Sequence, residues 1–90
     1  MTGTEAIRRL RLCRQQETAF GIVFVSVTEG AVRKIEQCQL RAAPSDKSFS
    51  DPDRFLYFTD LSTGEARQCR KRLIRQIRIH DQWHRVEWFR

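Results

Sequence analysis

The feature that most constrains this fold is residues 19–28, Ala-Phe-Gly-Ile-Val-Phe-Val-Ser-Val-Thr, where β-branched and aromatic side chains run on without a charge. Its even positions Phe20, Ile22 and Phe24 and its odd positions Val23, Val25 and Val27 are all apolar. Side chains of a strand alternate between two faces, so both faces of this one must be covered. A strongly curved sheet, a packed helix or a partner chain would cover them, and a flat sheet wetted on one side would not.

The rest of the chain is read around that strand. Residues 1–6 are small and polar and are expected to form a disordered tail, with a single small β domain over 7–90. In residues 8–14 basic and apolar positions nearly alternate, placing Leu10 and Leu12 on one face, the period of a half-buried strand. Glu29-Gly30 marks a turn. Residues 31–43 are ambiguous, because Val32, Ile35, Cys38 and Ala42 fit a helical stripe while Glu36, Cys38, Leu40 and Ala42 fit a strand face. Strand is the preferred reading, since strands on either side pair through short turns, and one short helix within 31–43 is the alternative. Residues 44–53 hold two prolines, three serines and three aspartates and read as a loop. Residues 55–60 resume strand character, Gly64 supplies a hairpin turn, and residues 66–70 return. A final hairpin joins 77–79 to 83–89, with Val86 and Trp88 on one face and Trp88 and Phe89 docked. The expected fold is mainly β, a small antiparallel meander or an SH3-like or OB-like open barrel of five to six strands.

Charge supplies the functional lead. The net charge is +6, and the successive thirds of the chain carry +1, 0 and +5. Arg67, Arg70, Lys71, Arg72, Arg75 and Arg78 fall within twelve positions that hold no acid, and Arg8, Arg9, Arg11 and Arg14 form a smaller run. Arginine outnumbers lysine 14 to 3 and asparagine is absent, which G·C-rich codon usage would also produce; it would not produce the clustering. A one-sided basic surface points to a polyanion.

Motifs for other chemistry are not met. The glycines Gly3, Gly21, Gly30 and Gly64 stand singly, so no phosphate-cradling loop is spelled out. His80 and His84 have helical metal-ligand spacing but fall in an expected hairpin, and Cys69 has no sequence relation to them, so no metal site is expected. Cys13, Cys38 and Cys69 are odd in number and widely spaced, the pattern of buried free thiols in a reducing compartment. Asp51 and Asp53 flank Pro52 in the loop, where turn formation accounts for them. No apolar run approaches the roughly 20 residues that span a bilayer. Residues 1–12 lack the apolar stretch of a secretory signal, so a cytoplasmic location is expected.

The expectation is a non-enzymatic basic β domain, needing no cofactor, membrane or small-molecule substrate, that binds nucleic acid through its phosphates with little sequence preference. Arg67, Arg70, Lys71, Arg72, Arg75 and Arg78 are the candidate contacts, and Tyr57, Trp83 or Phe89 could stack on bases. The alternative is a protein-interaction or self-assembly module that pairs through the two-sided strand or an exposed sheet edge.

Overall fold

The structure, a computed structural model, describes residues 1–42 and 54–88. An N-terminal helix, α1 (Gly3–Gln15), precedes six strands: β1 (Phe20–Ser26), β2 (Ala31–Leu40), β3 (Phe55–Asp60), β4 (Glu65–Arg70), β5 (Ile74–Ile79) and β6 (Gln82–Arg85). A single 3-10 turn, Lys71–Leu73, joins β4 to β5. All neighbouring strands are antiparallel, in the order β4-β3-β2-β1-β5-β6.

That order forces curvature. β4 and β5 are four places apart, about 19 Å in a flat sheet at the usual strand spacing. The 3-10 turn between them spans only about 6 Å. The sheet therefore rolls until the end of β4 approaches β1, helped by an extra residue in β2 opposite Phe20–Ile22 and another in β5 opposite Val23–Phe24, where the register shifts and a bulged strand bends readily. The roll stops short of closure: of the expected meander or open barrel, the chain forms a mainly β, open antiparallel sheet of six strands and not the barrel, because no ladder forms between β4 and β1 or β5.

The concave face is the core. Phe20, Ile22 and Phe24 of β1 meet Ile35 and Cys38 of β2, Leu56 and Phe58 of β3, Cys69 of β4, and Ile74 and Ile77 of β5. Phe58 receives edge-on contacts from Phe20 at 6.5 Å and Phe24 at 6.0 Å between ring centroids, pairs that each contribute about 0.5–1.5 kcal/mol beyond burial. On the convex face Gly21 lies beneath Trp83, and Val23 and Val25 are half-buried. Both faces of β1 are thus covered over much of its length, as its composition requires.

α1 covers the concave face with Ala6, Ile7, Leu10 and Cys13, which recur at helical spacing. The expected tail and strand are replaced here by one helix. Leu12, assigned to the same strand face as Leu10, is instead 47% exposed. Thr2 caps the helix, its Oγ1 accepting from the Glu5 backbone N–H at 3.2 Å, which draws residues 3–6 into the first turn. Residues 1 and 2 run beside 85–87: the Met1 ammonium donates to the Arg85 carbonyl at 2.9 Å, and the Glu87 N–H donates to the Met1 carbonyl at 2.9 Å.

Residues 31–40 are a strand throughout, and Val32, part of the alternative helical stripe, is 64% exposed. Gly30 and Gly64 take positive φ values of 64° and 75° in the β1–β2 and β3–β4 turns, conformations that suit glycine. The expected loop over 44–53 and the docking of Phe89 fall outside the described residues.

Candidate nucleic-acid interface

The basic run over 67–78 is divided by the fold into separate environments. Its centre is the 3-10 corner. Arg70 lies just before the turn with extended backbone, its guanidinium 5.7 Å from the Phe55 ring centroid, and the Lys71 N–H donates to the Arg54 carbonyl at 2.8 Å. Arg54, Arg70, Lys71 and Arg72 surround a hollow of about 350 Å³ whose remaining wall, among the described residues, is Trp88. Arg70 and Arg72 are exposed and make no ion pair with any described residue.

Trp88 has a second hollow beside it. This one, about 310 Å³, is lined by Gly3, Thr4, Ile7, Arg8 and Arg11 of α1 together with the indole. Arg8 and Arg11 are exposed and likewise without a carboxylate partner among the described residues, whereas Arg9 is held by Glu5 at 3.0 Å. The ring is fixed between the hollows: Nε1 donates to the Ile74 carbonyl at 3.0 Å, and the ring lies so close to Gly3 that an added Cβ would come within 2.1 Å of it. No acidic residue lines either hollow among the described residues.

The other candidates are committed elsewhere or stand apart. Arg67 lies on the concave side opposite Phe58, where it pairs with Asp60 at 3.5 Å and Glu65 at 3.2 Å. Asp60 is buried, and its carboxyl is held below the ordinary range chiefly by the Ser62 hydroxyl at 2.7 Å, then by the Ser62 N–H and Arg67, against the opposing push of burial. Arg78 is on the convex face across from Trp83; its guanidinium donates to the Glu36 carbonyl at 2.6 Å and to the His80 carbonyl. Arg75 is exposed at the bulge of β5, with its carbonyl accepting from the Val86 N–H.

The expected stacking rings fare differently. Tyr57 is only 4% exposed, so it offers no platform, and Trp83 is half-buried beneath Lys34, whose Nζ lies 4.8 Å from the ring centroid. Trp88, expected only as a docked side chain, is the indole placed between Arg8 and Arg11 on one side and Arg70 and Arg72 on the other.

Among the described residues no three His, Cys, Asp or Glu side chains are placed to hold a metal. Cys13, Cys38 and Cys69 are buried thiols, and burial pushes Cys38 and Cys69 up to about 12 and raises Cys13. A cleft of about 210 Å³ separates residues 25–28, beyond the last β1–β5 pairing, from Gln68, Cys69 and Arg70 of β4. No helix in the described residues is long and apolar enough to cross a membrane.

The chain matches no protein-family model, no curated protein and no solved structure.

Proposed function

We propose that this chain is a non-catalytic module that binds nucleic acid through its phosphates, along a basic surface running from α1 across Trp88 to the 3-10 corner. One observation carries the reading: Arg8 and Arg11 come together with Arg70 and Arg72, about sixty residues away in sequence, on the two sides of one indole, with no carboxylate in either hollow among the described residues. Like charges gathered together repel one another, and a polyanion relieves that repulsion while releasing its condensed counterions. Guanidinium contacts to phosphate carry no base information, so sequence preference is small.

The test is fluorescence anisotropy of labelled oligonucleotides between about 50 and 200 mM salt. Affinity should fall steeply with salt for all sequences alike. The quadruple variant Arg8→Gln, Arg11→Gln, Arg70→Gln, Arg72→Gln should flatten the log–log salt slope by roughly 3, at about 0.7–0.9 per lost contact. Absence of binding at low salt, or an unchanged slope in a folded variant, removes the reading.

A second reading, self-assembly by strand pairing, is supported by the outer edge of β4, which pairs with no other strand among the described residues and lies next to the cleft facing β1. Light scattering over a concentration series tests it. A mass that stays at 10.7 kDa dismisses it.

A further inference from the structure

We propose that the nucleic acid is single-stranded and that one of its bases stacks on the Trp88 indole between the two hollows. The inference rests on the nucleic-acid reading above and adds to it the form of the ligand. Three features support it.

First, the cations line concavities rather than a ridge. Hollows of about 350 and 310 Å³ lie at the lower end of the size that encloses small planar ligands. Reading a duplex through its major groove instead requires a protruding helix or ribbon. The bases of a duplex are stacked and paired, so its phosphates alone could reach the rim arginines, whereas a single strand can turn a base inward.

Second, the wall shared by both hollows is aromatic. An indole offers a π-face to any base, and neighbouring guanidiniums such as Arg70 and Arg72 can hold the flanking phosphates or lie over the base themselves.

Third, the ring is ordered before the ligand arrives. Its Nε1 donates to the Ile74 carbonyl at 3.0 Å, and Gly3 packs against it. A platform already immobilised loses little side-chain freedom on binding.

The experiment uses the full chain carrying Trp83→Phe, so that Trp88 is the one tryptophan, with circular dichroism checking the fold. An oligothymidylate of about 15 nucleotides and a duplex of matching length are titrated at about 100 mM salt. The single strand should bind at least about ten-fold more tightly than the duplex and quench Trp88 emission. Trp88→Leu should lower single-strand affinity about ten-fold and leave duplex affinity unchanged. Trp88→Phe keeps a stacking ring without the Ile74 bond, and should retain most of the preference if Trp88→Leu does not fold. Equal or tighter duplex binding, or single-strand binding without a change in Trp88 emission, overturns this inference while the phosphate reading stands. Binding of neither probe overturns both.

Discussion

Gly3 is small because of what faces it. A Cβ there would come 2.1 to 2.6 Å from three carbons of the Trp88 ring, which is itself tied to Ile74, so the clash falls between a helix backbone and a held indole. Gly3→Ala should destabilise the fold by about 1–3 kcal/mol, read as a lower urea midpoint, although alanine is the better helix former in general. Asp60 gives a second test at the same scale. Its folded-state pKa is lowered, chiefly by Ser62, so an unfolded chain takes up the proton first as the pH falls. The stabilisation is present above about pH 4 and is lost as the pH drops through the folded value. Urea midpoints measured from about pH 6 to 3 should decline less steeply in Asp60→Asn than in the parent.

Among the elements, α1 divides its leucines sharply. Leu10 is fully buried in the core and Leu12 is 47% exposed. Leu10→Ala should cost about 2–5 kcal/mol and Leu12→Ala no more than about 0.5, a contrast measurable by urea unfolding. The strand period over 8–14 predicts similar costs for the two. That difference shows what was legible. β1, β3 and the β3–β4 turn were readable because runs of β-branched or aromatic residues and a glycine at positive φ are local signals. The helix was readable too, in Thr2 with Glu5 and in the recurrence of Ala6, Ile7, Leu10 and Cys13, but the arginine–leucine alternation at 9–12 imitates a two-residue period. Its consequence reached the site: strand geometry groups Arg9 with Arg11, whereas the helix puts Arg8 and Arg11 beside Trp88 and gives Arg9 to Glu5. Arg70, Lys71 and Arg72 could be picked out by charge alone. Their meeting with α1 could not, because it depends on the chain returning past residue 85 to lie beside its own start.

At the scale of the whole molecule, three thiols from α1, β2 and β4 enter one core, and burial raises the pKa of each. In native protein at about pH 8, a thiol reagent such as iodoacetamide should label none of the three within the time that labels all three in denaturant. Rapid labelling of the native chain would contradict the packing. Stability should also fall as the pH rises from about 8.5 toward the value of about 12 reached by Cys38 and Cys69, because the unfolded chain loses those protons first.

The short joint between β4 and β5 has a consequence for how binding would show itself. Residues 71–73 hold the sheet in its curl, and they lie at the corner where an anion would be gripped. A ligand seated there raises resistance to heat in proportion to its preference for the folded chain over the unfolded one: with no affinity for the unfolded chain, a polyanion at a hundred times its Kd adds about 2.7 kcal/mol to folding. A melting-temperature survey of unlabelled polyanions would therefore rank ligands for this corner before any of them is identified.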